Sequence, residues 1–247
     1  MRLARVAFAA MPRVPLLPRA IATVLLLLGL GSCKSAPAPL AIPDGENPLR
    51  WQKDIDALAA QPAPAPHPVV FVGSSSIRGW KTLQQDMAPI AVLNCGFGGS
   101  RIFDSTWHLD RVVTPFAPAA VVVFAGTNDI AGDAPRSAEW VETRFVELVA
   151  RLRELGCDAP VMFLAITAAP SREQHIAIVR EANARIAARC KAMDDAHFVD
   201  ASAAFFDSTG RPDPKWFVKD QLHLNADGYA EWARVVRPAL ERILAVR

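Results

Sequence analysis

Five short runs rich in apolar and β-branched residues, at 69–72, 90–93, 120–125, 161–166 and 197–200, recur along this 247-residue chain with longer stretches between them. Runs such as Val69-Val70-Phe71-Val72 and Ala120-Val121-Val122-Val123-Phe124-Ala125 are apolar at every position, not at every second one. That pattern belongs to strands covered on both faces, which are typically parallel and need helical crossovers to join them. Helical spacing appears between and after the runs at 137–155, 172–193 and 226–246. Asn225 is placed to cap the last of these and Asp227 to sit near its positive end, while Gly156 stops the first. The alternation predicts an α/β chain: a three-layer α/β/α sandwich around a central five-stranded, mostly parallel sheet. With 51% hydrophobic residues the chain has enough apolar material for one such core, and no repeat of solenoid period competes with it.

The first 32 residues have the layout of a secretion signal: arginines at 2, 5, 13 and 19, then the apolar run Ala20 to Leu30, then small residues. The run is short for a bilayer span, which takes about 20 residues. Leu30-Gly31-Ser32-Cys33 resembles a bacterial lipobox, which implies that Cys33 becomes the lipidated first residue of an exported, membrane-anchored protein of the periplasm or cell envelope. Simple cleavage without a lipid is the alternative. The division expected is a lipoprotein-type signal peptide at 1–32, a Pro/Ala-rich flexible tether at 33–46 and a folded domain at 47–247. Losing the leader removes four positive charges and no acid, so the formal charge of +2 becomes −2. A nucleic-acid partner is not expected from such a balance.

Trp51, Ile55, Leu58 and Ala59 recur at helical spacing, and prolines at 62, 64, 66 and 68 end that helix and lead stiffly into the first strand. Cys95, Cys157 and Cys190 lack CxxC spacing, so buried thiols are the default, with one disulfide pair open in an oxidising compartment. His67, His108, His175 and His197 lack ligand spacing, and no metal site is expected. Most of the tryptophans, at 80, 107, 140, 216 and 232, read as packing residues.

In open α/β sheets, ligands bind where loops converge beyond the carboxyl ends of the strands. The unusual loops here follow strands: Gly73-Ser74-Ser75-Ser76, Asn94-Cys95-Gly96-Phe97-Gly98-Gly99-Ser100 and Gly126-Thr127-Asn128-Asp129. Asp220-Gln221-Leu222-His223 stands just before the final helix. An acid three residues ahead of a histidine can hold the imidazole Nδ1–H, leaving Nε2 to take a proton from a hydroxyl.

These four blocks, in this order, resemble those of the SGNH (GDSL-type) hydrolases over roughly residues 68–240. The resemblance implies a flavodoxin-like hydrolase fold and an esterase that works without metal or cofactor. It implies Ser75 as nucleophile, His223 as base and Asp220 as the acid that orients it. It further implies an oxyanion hole formed by the N–H groups of Ser75 and Gly99 and the side-chain amide of Asn128, with Gly98 the alternative to Gly99. The family has Asp where this chain has Ser74, so three consecutive serines compete for the nucleophile's position. Arg101 and Phe103, just beyond the second block, are the expected substrate contacts.

The activity expected is hydrolysis of small-molecule, carbohydrate or lipid esters, with short acyl groups such as acetyl favoured because no long apolar insertion stands ready to shelter a fatty chain. Two rivals use the same architecture: a flavin-binding domain whose serine-rich turn cradles a phosphate, and a degenerate hydrolase kept as an envelope interaction module. The flavin reading leaves Asp220, His223 and Asn128 without a task.

Overall fold

The computed structural model describes residues 38–246. The signal peptide, Cys33 and the first part of the expected tether lie outside the described residues. Five strands, β1 (Val69–Gly73), β2 (Val92–Gly96), β3 (Ala120–Phe124), β4 (Val161–Leu164) and β5 (Ala196–Val199), form one sheet in the order β2-β1-β3-β4-β5. Every neighbouring pair is parallel, so the sheet is wholly parallel where a mostly parallel one was expected. Eight α-helices accompany it among the described residues: α1 (Gln52–Ala59), α2 (Ser75–Gly79), α3 (Leu83–Asp86), α4 (Ile102–Trp107), α5 (Leu109–Val112), α6 (Ala138–Glu154), α7 (Ile176–Lys191) and α8 (Ala226–Ala245).

Alternation along each strand sends successive side chains to opposite faces. Val70, Val72, Val121 and Val123 pack with Ile55 of α1, Ile102 of α4, Phe145 and Leu148 of α6, and Ile186 of α7. Val69, Phe71, Val122 and Phe124 pack with Ile77 of α2, Leu83 of α3 and Trp232 and Val236 of α8. The result is the three-layer sandwich. Each large apolar side chain fully withdrawn from water contributes about 1.5–3 kcal/mol, so two apolar layers at once explain why the strands carry no polar alternation.

Two boundaries differ from the periodicity, each for a local reason. The second strand was expected at 90–93 and lies at Val92–Gly96. Asn94 is tolerated inside it because its amide is satisfied there: Nδ2 donates to the Ile77 carbonyl at 2.6 Å and Oδ1 accepts the Gly96 N–H at 3.0 Å. The helix expected from 172 starts at Ile176, after a 3₁₀ turn at Pro170–His175 in which Arg172 leaves helical geometry (φ −129°, ψ 25°). The cap at Asn225 is present, its side chain accepting the Gly228 N–H at 2.9 Å.

Within the span expected as tether, residues 38–46 are hydrogen-bonded to the domain. The Asp44 carbonyl accepts from Arg136 at 2.9 Å and the Ala38 carbonyl from Arg151 at 3.0 Å. The Glu46 carboxylate is buried against Arg101 at 3.1 Å and Arg136 at 3.8 Å. Arginine side chains thus hold Ala38, Asp44 and Glu46 in the part of this Pro/Ala-rich span that is described. The cysteines at 95, 157 and 190 are free and buried. No helix among the described residues is long and apolar enough to cross a membrane.

Candidate active site

The strand order places β1 between β2 and β3, so the chain steps to one side of β1 and then returns across it. The crevice beyond the carboxyl ends of β1 and β3 lies at this reversal, where parallel sheets bind ligands. Ser75 follows β1 directly and Asn128 follows β3.

Ser75 is the first residue of α2, so its own N–H has no intrahelical acceptor. The three serines separate by environment. Ser74 is buried with its N–H given to the Phe124 carbonyl at 3.0 Å, and the carbonyl of Ser76 accepts from the Tyr229 hydroxyl at 2.8 Å. The Ser75 hydroxyl lies 2.9 Å from His223 Nε2. His223 Nδ1 is 2.6 Å from Asp220 Oδ2, while Asp220 Oδ1 accepts the backbone N–H groups of Leu222 and His223, each at 2.9 Å. Partial desolvation raises the Asp220 pKa, but the hydrogen bonds from the His223 ring and from the two backbone donors outweigh it and hold the carboxylate at about 2. It is therefore a fixed negative charge in the neutral range, facing the ring nitrogen that would carry the proton.

Beside this chain of contacts stands the amide of Asn128, its Nδ2 donating to the Ser100 carbonyl at 3.0 Å. Gly99 adjoins it: a Cβ built there would lie 3.7 Å from Asn128 Nδ2. Gly98 has a different task. Its φ is +40° and a Cβ would meet the Trp51 ring at 1.9 Å, so glycine is required there for packing under the entry to α1. Of the two glycines, Gly99 is the one that adjoins the amide.

Ser75, Thr127, Asn128, Thr167, Arg172 and Leu222 line a small cavity of about 20 Å³. Arg101 and Phe103, expected as substrate contacts, do not line it. The Arg101 guanidinium is turned to the Gly45 carbonyl and Glu46, and Phe103 is buried in α4 against Trp107. At 101 the arginine thus pairs with the buried Glu46 carboxylate. In its place the cavity contains Arg172, which donates to Asn128 Oδ1 from both terminal nitrogens at 3.1 Å and to the Thr127 carbonyl at 2.7 Å. Its signal in the sequence was position alone, at the start of the helical stretch that follows the fourth apolar run.

Asp129, the neighbour of Asn128, is almost fully buried. Desolvation raises its pKa to about 7, aided by Glu46 and Asp104 and opposed by the Ile102 N–H at 3.3 Å and by Arg101. It anchors the loop by accepting that N–H from the start of α4. No group of three or more His, Cys, Asp or Glu side chains among the described residues is arranged to hold a metal ion.

The chain is 29% identical over 226 residues to the platelet-activating factor acetylhydrolase IB subunit alpha1 of Pongo abelii, covering 87% of this chain and 93% of that one. The Homo sapiens subunit matches at 28%, with the same coverage. Among solved structures, a GDSL-like lipase from Bacteroides thetaiotaomicron superposes with a TM-score of 0.64 at 22% identity, over 79% of this chain and 98% of that one. An acetyl xylan esterase superposes with a TM-score of 0.56 at 20% identity, over 70% and 98%. Residues 42–231 match the model of the GDSL-like Lipase/Acylhydrolase family, a span that holds both the sheet and the cavity at its carboxyl edge, and the chain belongs to that family.

Proposed function

We propose that this protein is an exported serine esterase that hydrolyses carboxylic esters of short acyl groups, acetyl foremost, through an acyl-enzyme. The observation that carries the reading is the 2.9 Å contact between Ser75 Oγ and His223 Nε2, with Asp220 on the far side of the ring. A serine hydroxyl is a weak nucleophile until a base stands ready for its proton.

In this mechanism Ser75 Oγ attacks the ester carbonyl carbon while its proton passes to His223 Nε2. Asp220 steadies the imidazolium through Nδ1. The carbonyl oxygen becomes an oxyanion facing the N–H groups of Ser75 and Gly99 and one N–H of Asn128. Collapse breaks the bond to the alcohol oxygen, which leaves with the proton from His223. Water then attacks the acyl-serine with His223 again as base, releasing the carboxylic acid and restoring Ser75. Every proton is carried by His223 and no oxidant or metal enters the balance.

Two observations support the short acyl group. The cavity beside Ser75 is small, about 20 Å³, which suits a compact acyl group. Two of the similar proteins are, by name, an acetylhydrolase subunit and an acetyl xylan esterase. Export, and a lipid on Cys33, rest on the leader and its lipobox-like end.

The test is a panel of p-nitrophenyl esters and acetylated sugars, with mass spectrometry of protein labelled by a fluorophosphonate. Acetyl esters should turn over fastest, and the label should land on Ser75 and vanish in Ser75→Ala. Label on Ser74 or Ser76, or turnover of long-chain but not acetyl esters, would overturn the assignment. A yellow protein with no esterase activity would instead establish the flavin reading.

A further inference from the structure

We propose that Arg172 is a positioning residue for the oxyanion hole, locking the Asn128 amide so that one N–H is always left for substrate. The inference rests on the esterase reading above and concerns a residue outside the four sequence blocks. A side-chain amide has one oxygen with two lone pairs and two N–H donors. In Asn128 both lone pairs meet Arg172, from Nη1 and Nη2 at 3.1 Å, and one N–H is spent on the Ser100 carbonyl at 3.0 Å. Three of four capacities are occupied, and the remaining N–H has no partner among the described residues.

The guanidinium also decides which way the amide faces. Rotating the amide by half a turn would set its NH₂ against the NH groups of Arg172 and its oxygen against the Ser100 carbonyl, two repulsions in place of three hydrogen bonds. Drawing electron density toward Oδ1 strengthens the opposite N–H as a donor, as happens along connected hydrogen bonds.

Arg172 forms no ion pair among the described residues, although it is half-buried and desolvation pushes its pKa down. A cation in that position is costly unless its charge is used. Here it is used on Asn128 Oδ1 and the Thr127 carbonyl, which accept from the guanidinium where a carboxylate otherwise would. The turn that carries it is itself held against the histidine loop, with the Ser171 N–H donating to the Gln221 carbonyl at 3.0 Å. One short segment therefore steadies both the amide and the residues flanking His223. Lysine cannot replace this grip, because one ammonium lacks the planar fork that spans Asn128 Oδ1 and the Thr127 carbonyl.

The experiment is a double-mutant cycle on kcat and KM for p-nitrophenyl acetate, using Arg172→Gln, Asn128→Ala and the pair. Arg172→Gln should lower kcat by about 10- to 100-fold with KM changed less than about two-fold. In the Asn128→Ala background the same change should cost less than about two-fold, because its route of action is gone. A purely structural role would give losses that multiply in the double mutant, and either that result or a loss confined to KM would overturn the proposal. Should Arg172→Gln fail to fold, Arg172→Lys keeps charge and length and must show the same kcat loss and the same disappearance. An inactive wild type removes the esterase reading itself, whereas an active wild type with independent effects removes only the role of Arg172.

Discussion

A Cβ on Gly73 would stand 2.0 Å from the carbonyl oxygen of Phe124, on the neighbouring strand. The same carbonyl accepts the Ser74 N–H at 3.0 Å, so the turn that presents Ser75 is drawn against β3 as closely as a backbone allows. Gly73 also has φ +140°, a region that side-chain-bearing residues avoid. Gly73→Ala should therefore separate β1 from β3 where Ser75 emerges. The expected loss is about 1–3 kcal/mol from backbone strain alone, with the steric clash added, and esterase activity should fall with it. Urea denaturation of the variant checks this; a midpoint equal to wild type would refute it.

Asp220→Asn sets an amide opposite His223 Nδ1, where the carboxylate now lies at 2.6 Å. Turnover should fall by about 10² to 10⁴-fold with little change in KM, measured at neutral pH on an acetyl ester. The folded pKa of Asp220, about 2, lies below its ordinary 3.8, so its contribution to stability is complete above the latter and is lost as pH falls through the former. Both partners are exposed by a third or more, so that contribution is small. The stability difference between wild type and Asp220→Asn should shrink as pH falls below about 4.

Asp129 has the opposite sign. Its pKa is raised from 3.8 to about 7, so the folded state binds a proton that the unfolded chain has released. Stability referred to this group is greatest below about pH 4 and declines as pH rises toward 7. Asp129→Asn keeps an acceptor for the Ile102 N–H and removes the ionisation, so the decline over this window should flatten. Denaturant titrations across the window decide it: identical slopes for the two proteins would mean that the burial of Asp129 is compensated otherwise.

Tyr229→Phe removes the hydroxyl that donates to the Ser76 carbonyl at 2.8 Å, beside Ser75. The cost expected is about 1–3 kcal/mol, with activity loosened less than ten-fold, roughly, because Ser75 itself keeps its contact with His223. Thermal unfolding and kcat on one acetyl ester measure both effects; unchanged stability would show that the carbonyl finds another donor.

The features legible along the chain were local. Uninterrupted apolar runs specify strands buried on both faces, capping residues such as Asn225 mark helix starts, and the spacing of Asp220 and His223 lets one loop hold an acid against an imidazole. Those features depend on neighbours within a few residues, which is why they were legible. The order of the strands, and the approach of the Ser75 hydroxyl to His223 across 148 residues, came from the tertiary structure. Only packing decided that Arg101 turns to Glu46 while Arg172 reaches Asn128 from 44 residues away. A guanidinium goes to whichever carboxylate or carbonyl the assembled layers leave within reach, and no periodicity along the chain encodes that.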